Sequence, residues 1–232
     1  MAGLFVHPVV AQEIYKLLPQ GIITDEGMFY AGSIAPDAIH AREGFVREEK
    51  KHTHLRDHIP DRDFGLEENL EIFHKRVSDF IIKHREREGA SLDLYRGYVV
   101  HIVTDELFML SVRQEFCDVM EHMGIAQDDE VFYHAILDDM NRNDLLLAAS
   151  YESKEEIRRR LEEVQSHQIE EFLTETEIND SRKWVLHRYF YEENELLQPV
   201  YISFERMRKF IASATKLIIG MLSEGGSLPQ ML

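Results

Sequence analysis

The stretch Tyr98–Leu110, which reads YVVHIVTDELFML, limits the fold more than any other part of the sequence. A helix of this composition is apolar on almost every side, so it has to lie at the centre of the protein and be largely buried. His101 and Asp105 are polar exceptions in it, and because they are one helical turn apart they share a face. An ionised carboxylate in such surroundings costs free energy unless it is paired or coordinates a cation. The stretch therefore predicts a central helix that carries either two metal ligands or a buried, hydrogen-bonded His–Asp pair.

The rest of the chain is also predicted to be helical. Helical spacing or strong helix formers recur along it, and no run shows sustained β alternation. The predicted helical segments are 9–18, 66–86, 92–116, 128–141, 152–173, 181–196 and 202–223. Residues 19–65 are punctuated by glycine and proline and predict a long connection with some short helix inside it. We therefore expect an all-α fold in a single multi-helix domain that spans 1–232.

Net charge and cysteine content restrict the partners and the metal chemistry. The formal net charge of −17 repels nucleic-acid duplexes and anionic membrane surfaces. A small phosphate-containing substrate stays compatible with this charge, because a bound divalent ion inverts the local field. Cys117 is the single cysteine, so a disulfide framework and a cysteine-rich zinc site are excluded and any metal has to be held by His, Asp and Glu.

The hydropathy pattern bears on location. No uncharged run approaches the roughly 20 residues that span a bilayer, so no transmembrane segment is expected. The stretch Met1–Val10 is apolar but is interrupted by His7 and Pro8, and it has neither a basic region nor a clear cleavage site. We therefore predict a cytoplasmic protein.

Pairs of histidine and acid one helical turn apart are the main candidates for metal ligands. Four such pairs occur, where about two are expected by chance from this composition. His84/Glu88 and His167/Glu171 lie in charged stretches, whereas His101/Asp105 and His134/Asp138 lie in apolar ones. For each of the two apolar pairs the alternative is a buried hydrogen-bonded pair without metal.

Two residues outside these pairs are weaker candidates. His7 precedes Pro8 at the start of an apolar run, a position that suits either a ligand or a packing role at the beginning of a helix. Asp37 follows Pro36 in the peptide GSIAPDA, residues 32–38, which presents its carboxylate from a constrained turn. Taken alone, Asp37 would be interpreted as a turn residue.

Five peptides, in their order along the chain, resemble the zinc-dependent phospholipase C family: the peptide around His7, then GSIAPDA, KKHTHL, HIVTD and HAILD. That family is similar to the single-strand-specific zinc nucleases of the S1 and P1 nuclease type. The resemblance covers roughly residues 3–140 and implies the all-helical fold of that family. It implies that Asp37, His54, His101 and Asp105 surround one metal ion. Asp105 would also face a second ion held partly by His7.

The resemblance implies three further assignments. His134 and Asp138 would hold a further ion. The triplet THL favours His54 as the ligand, with His52 as the reserve candidate. Asp37 could activate water or serve only as a ligand.

The chain departs from the family pattern at three places. The secreted phospholipases begin with a tryptophan whose amine helps to bind metal, whereas this chain begins MAGLFVH. Ser111 lies where members with three metals have another histidine, and Asp138 replaces the usual glutamate. The substrate of the family is therefore not assumed.

The expected function is hydrolysis of a small-molecule or lipid-like phosphodiester by metal-activated water. Zinc is the first expectation, and iron, manganese or nickel also suit histidine and carboxylate ligands. Two alternatives remain, a helical metal-binding protein without catalysis and a nucleotide phosphohydrolase of the helical HD kind. The chain has no adjacent His-Asp dipeptide, which counts against the HD kind. The sequence predicts no oligomeric state.

Overall fold

The computed structural model describes residues 1–165 and 167–223. These residues form an all-helical domain, and they contain no strand. The helices are α1 (Val6–Leu17), α2 (Glu26–Ile34), α3 (Arg47–Thr53), α4 (Glu67–His84), α5 (Gly89–Leu110), α6 (Val112–His122), α7 (Glu130–Ser150), α8 (Lys154–Glu163), α9 (Glu175–Leu186) and α10 (Phe204–Ser223). Short 3-10 segments cover Ala35–Ala41 and Asp61–Asp63, and a π-helical turn covers His187–Tyr191. Within the described ranges, none of the helices has the length and apolar character that crossing a bilayer requires.

Helix α5 lies at the centre, as its composition predicts. It packs against α1, α2, α4, α6 and α10. Every residue from Tyr98 to Glu106 is buried. Because α5 is enclosed on all sides, its polar residues can be satisfied only by neighbouring elements of the protein.

Two glycines bring the backbones of α2 and α5 into direct contact. A Cβ atom on Gly32 would lie 2.1 Å from the carbonyl oxygen of Leu94, and one on Gly97 would lie 2.0 Å from that of Phe29. Real Cβ atoms do not approach so closely, so only glycine fits at both positions. This contact brings the end of α2 against the face of α5 that carries His101.

The start of α1 is held by a side chain from α7. Burial raises the pKa of the Asp144 carboxyl to about 7, against the opposing effect of the nearby backbone N–H groups of Leu4, Phe5 and Val6. These groups have no partner inside the helix, and a carboxylate at a helix N-terminus also interacts favourably with the helix dipole. A Cβ atom on Gly3 would lie 2.3 Å from Asp144 Oδ1, so this segment needs glycine there. The position of α1 is thereby coupled to α7.

Several predicted boundaries differ from the structure: α7 continues to Ser150, nine residues past the predicted end at 141, and α9 begins at Glu175 and ends at Leu186 instead of covering 181–196. The segment 92–116 is two helices, because Ser111 leaves the helical conformation (φ −127°, ψ −85°) and its hydroxyl donates to the Leu107 carbonyl oxygen. The segment 152–173 is helical only as far as Glu163. The connection 19–65 contains more helix than the short piece that was predicted, because α2, α3 and both 3-10 segments lie there.

Candidate metal centre

Four elements of the fold converge on one buried cluster. His7 comes from α1, Asp37 from the 3-10 segment after α2, His54 from the residue that ends α3, and His101 and Asp105 from α5. All five residues are buried. Residues as far apart in the sequence as His7 and Asp105 are therefore brought together only by the packing of α1 on α5.

The His101 ring is oriented by the end of α2. Its Nδ1 lies 2.7 Å from the backbone carbonyl oxygen of Ser33. A carbonyl can only accept a hydrogen bond, so Nδ1 carries the proton, and in the neutral ring Nε2 then carries the lone pair. The lone pair of His101 consequently points away from α2 and into the cluster.

The His54 ring is oriented in the same way by its own helix. Its Nδ1 lies 2.7 Å from the carbonyl oxygen of Lys50, so its Nε2 also carries a lone pair. Burial lowers the pKa of His54 well below its ordinary value, against the opposing effect of Asp37. His54 is thus neutral at pH 7, which is the form that binds metal.

The free nitrogens of these two rings face each other and two carboxylates. His54 Nε2 lies 3.2 Å from His101 Nε2, and it lies 3.5 Å both from Asp37 Oδ1 and from Asp105 Oδ2. His101 Nε2 lies 3.8 Å from Asp105 Oδ2. Four electron-rich atoms so close together repel one another unless a cation lies among them.

The spacing of these atoms fits tetrahedral coordination. Ligand atoms about 2.0–2.1 Å from a tetrahedral zinc ion are about 3.3 Å from one another. The distances from His54 Nε2 and His101 Nε2 to each other and to the carboxylate oxygens named above are 3.2–3.8 Å, close to that value. The group of Asp37, His54 and His101 therefore fits a divalent metal ion, with Asp105 Oδ2, 3.5 Å from His54 Nε2, as a further oxygen donor beside it.

His7 extends the cluster on the other side of Asp105. Its ring stacks on His101, with 3.6 Å between ring centroids and 9° between planes, and its Nε2 lies 3.5 Å from Asp105 Oδ1. Neither ring nitrogen of His7 has a hydrogen-bond partner among the described residues. Burial, followed by the proximity of His101, lowers the pKa of His7 well below its ordinary value, so the ring is neutral.

Asp105 connects the two halves of the cluster. Its Oδ2 faces His54 and His101, whereas its Oδ1 faces His7 and accepts a 2.7 Å hydrogen bond from the backbone N–H of Ala2. Two three-residue groups that could hold an ion overlap here, the group of His7, His101 and Asp105 and the group of Asp37, His54 and His101. Asp105 can therefore contribute one oxygen to each side.

Asp37 forms the most accessible edge of the centre. Its Oδ1 lies 2.5 Å from Lys50 Nζ, and His40, which is exposed, lies 3.2 Å from the same ammonium group. Burial opposes ionisation of Asp37, but Lys50, followed by His101 and His54, holds its pKa well below the ordinary value. A small molecule from solvent would therefore meet Asp37, Lys50 and His40 first.

The structure separates the two histidine candidates of KKHTHL. His54 is 1% exposed and lies in the cluster, whereas the His52 side chain is 51% exposed, lies 2.9 Å from Asp57 and stacks on Phe172. The geometry thus favours His54, in agreement with the preference taken from the resemblance.

His134 and Asp138 lie elsewhere. Both are on the exposed side of α7, and neither belongs to a group of potential metal ligands found in the described ranges. Their apolar sequence context predicted burial, but the buried residue of this turn is Asp139, which accepts hydrogen bonds from the backbone N–H groups of Val200, Tyr201 and Ile202. A further ion at His134 and Asp138 stays a prediction.

Sequence reasoning missed three groups at the centre. These are the ammonium group of Lys50, the carbonyl of Ser33 and the backbone N–H of Ala2. Lys50 had a signal in the sequence, because it precedes His54 by one helical turn. The Ser33 carbonyl and the Ala2 N–H had no signal in the sequence, because backbone groups do not depend on the side chain.

Comparison of the chain with models of protein families, with curated proteins and with solved structures gives no match in any of the three. The case for a function therefore has to be made from the residues of the centre.

Proposed function

We propose that the chain is a metal-dependent hydrolase of small or lipid-like phosphodiesters, with zinc as the first candidate ion. The observation that carries the proposal is the set of Nε2 lone pairs of His54 and His101 directed at each other and at the carboxylates of Asp37 and Asp105. A merely structural cluster would place a proton or a hydrogen-bond donor between these atoms. None of the described residues donates to Asp105 Oδ2 or forms a hydrogen bond with the ring nitrogens of His7.

The donor set matches the requirements of a divalent cation. Asp37, His54, His101 and Asp105 would hold the ion, with His7 and the second oxygen of Asp105 beside it. With the histidines neutral, the two carboxylates and Lys50 leave a net charge of −1, which attracts a divalent cation. A divalent ion in this position lowers the pKa of bound water and neutralises charge on a phosphoryl oxygen.

The surrounding residues contribute orientation and selectivity. The carbonyls of Ser33 and Lys50 hold the rings of His101 and His54 in the metal-binding tautomer. Lys50 stands at the accessible edge, where its ammonium group can contact an anionic substrate oxygen. The charge of −17 disfavours nucleic-acid duplexes, so we propose a small substrate instead.

The two roles that the resemblance allows for Asp37 can be weighed from its environment. Because Lys50 keeps the pKa of Asp37 well below its ordinary value, the carboxylate is a weak acceptor for a proton from water. The same permanent charge suits a ligand. We therefore propose that Asp37 holds the ion and leaves proton transfer to another group.

The test is elemental analysis of the full chain, purified without a metal-affinity tag. We expect about one or two ions per chain in the wild type and a loss of most of the metal in His101→Ala and Asp105→Asn. His134→Ala is the matched control, because it removes an exposed histidine outside the cluster. Wild-type protein that holds no metal even after supplementation would overturn the proposal.

Catalysis is tested separately on metal-loaded protein. We expect turnover of the generic substrate bis(p-nitrophenyl) phosphate with zinc, manganese, iron or nickel, and loss of that turnover in His54→Ala. Stoichiometric metal without turnover of any phosphodiester would instead support the non-catalytic metal-binding alternative.

A further inference from the structure

Arg56 is a buried arginine whose hydrogen bonds are incomplete. It follows α3, two residues after His54, and it is 4% exposed. Nη2 donates to Asp61, and the guanidinium group lies over the Phe64 ring at 5.0 Å. Nε and Nη1 have no acceptor within the described part of the chain. Three of the five N–H groups of a guanidinium are therefore unsatisfied, and leaving buried donors without acceptors costs free energy.

The surroundings of Arg56 carry an excess of positive charge. Asp61 contacts two arginines, because Arg56 Nη2 donates to its Oδ1 and Arg47 Nη2 lies 3.7 Å from its Oδ2. Burial tends to raise the pKa of Asp61, but Arg56, the amine of Met1, Arg113 and Arg47 together lower it. Two guanidinium groups thus contact one carboxylate, and Arg113 adds positive charge at longer range, in a chain whose net charge is −17. Local charge of this sign favours an anion.

This arginine cluster, Arg47, Arg56 and Arg113, adjoins the metal centre through the first two residues. The amine of Met1 interacts electrostatically with Asp105 and also with Arg56 and Arg113. The next residue, Ala2, donates its backbone N–H to Asp105 Oδ1. Arg56 also follows the candidate ligand His54 by two residues, so it adjoins the metal centre along the chain as well.

We propose that Arg56 forms a binding subsite for a phosphate-type oxyanion next to the metal centre. A tetrahedral oxyanion supplies the acceptors that Nε and Nη1 lack, and guanidinium groups bind such anions through charge-assisted hydrogen bonds. The identity of the ligand rests on the proposed function, because phosphoryl groups are what a phosphodiesterase binds and releases. The occupant is either a phosphoryl group of the substrate or inorganic phosphate.

The test is calorimetric titration of inorganic phosphate into the full chain after removal of metal with EDTA, at low ionic strength. We expect saturable binding to the wild type. Arg56→Lys keeps the charge but loses the planar donor set. We expect it to bind phosphate at least about tenfold more weakly, because at least one charge-assisted hydrogen bond is lost. Asp61→Asn removes the competing carboxylate, so we expect tighter binding. Arg159→Lys is the matched control on α8, where the arginine is exposed and pairs with Glu156.

The opposite directions expected for Arg56→Lys and Asp61→Asn separate binding from a structural role. Unchanged phosphate affinity in a folded Arg56→Lys protein, checked by circular dichroism, would mean that buried water satisfies Arg56 and would overturn the subsite. No phosphate binding by the wild type would overturn it as well. Parallel titration with phenyl phosphate distinguishes the sources: binding of both ligands supports a substrate phosphoryl group, and binding of phosphate alone supports the free ion.

The assay uses neither metal nor turnover, so its failure is distinct from that of the proposed function. Phosphodiester hydrolysis without phosphate binding to the metal-free protein would refute the subsite alone. Phosphate binding that depends on Arg56, in a protein that never holds metal, would refute the hydrolase alone.

Discussion

Two backbone carbonyls decide which atoms of the metal centre are free. Ser33 and Lys50 each accept a hydrogen bond from a histidine Nδ1, and this leaves Nε2 of His101 and His54 unprotonated. Burial keeps His54 neutral, so its lone pair is retained at pH 7. The ligand set is thus created as much by main-chain acceptors as by the histidines themselves.

His84 makes the stability of the fold depend on pH. It is 3% exposed, stacks on Tyr95, and accepts a hydrogen bond at Nδ1 from Arg87. Burial, followed by Arg87 and Lys83, lowers the pKa of His84 to about 4. The unfolded state binds a proton near pH 6.5 and the folded state only near pH 4. The contribution of His84 is therefore fully present above pH 6.5 and is lost as the pH falls towards 4.

We expect His84→Gln to flatten this dependence. Between pH 7 and pH 4, the free energy of unfolding of the wild type should fall by up to about 3 kcal/mol more than that of the variant, since one pKa unit corresponds to about 1.4 kcal/mol. Urea denaturation of metal-free protein at a series of pH values measures this free energy of unfolding. His122→Gln, which changes an exposed histidine on α6, should behave like the wild type. Identical pH profiles for His84→Gln and the wild type would contradict the prediction.

At the scale of elements, the contact between α2 and α5 positions half of the centre. Gly32 and Gly97 let the two backbones touch, and this contact brings Ser33 within hydrogen-bonding distance of His101. The 3-10 segment that carries Asp37 continues directly from α2. A shift of α2 away from α5 would therefore displace both the ring acceptor and a carboxylate ligand.

We expect Gly97→Ala to weaken the fold and the metal site together. The new methyl group would overlap the Phe29 carbonyl, and overpacking of this kind typically costs about 1–3 kcal/mol. Thermal unfolding and metal content are the measurements. Gly220→Ala in α10 is the control, because nothing lies within 4 Å of its added Cβ, and helix propensity should stabilise it by up to about 1 kcal/mol. A Gly97→Ala protein as stable as the wild type would show that the backbones are not in contact.

At the scale of the whole molecule, the metal centre connects helices that are distant in sequence. The side chains that could bind an ion come from α1, α5, the end of α3 and the segment after α2. An ion bound there would hold these elements together in the folded state alone. Metal binding should therefore be coupled to global stability.

We expect added zinc to raise the melting temperature of EDTA-treated protein. At 100 times the dissociation constant, an ion that binds only the folded state contributes about 2.7 kcal/mol, which corresponds to a shift of about 5–10 °C for a chain of this size. His101→Ala should show no zinc-dependent shift, and His134→Ala should keep it. Equal shifts in the wild type and His101→Ala would place the stabilising ion elsewhere.

The sequence alone was enough to predict the all-α class, the central position of α5 and the partnership of His101 with Asp105. These features depend on local periodicity, and a nearly uniform apolar helix can be stable only when it is buried. Boundaries were less predictable. The helix-breaking conformation of Ser111 and the helices within 19–65 depend on contacts that no local pattern records.

Only the tertiary structure decided which candidate residues meet. It brings His7, Asp37 and His54 to the α5 pair, and it leaves His134 and Asp138 on the surface despite their apolar context. It also supplies the Ser33 carbonyl through a glycine contact between two helices. The physical reason is that local periodicity reports which face of a helix is apolar, whereas ligand geometry depends on how separate helices pack against one another.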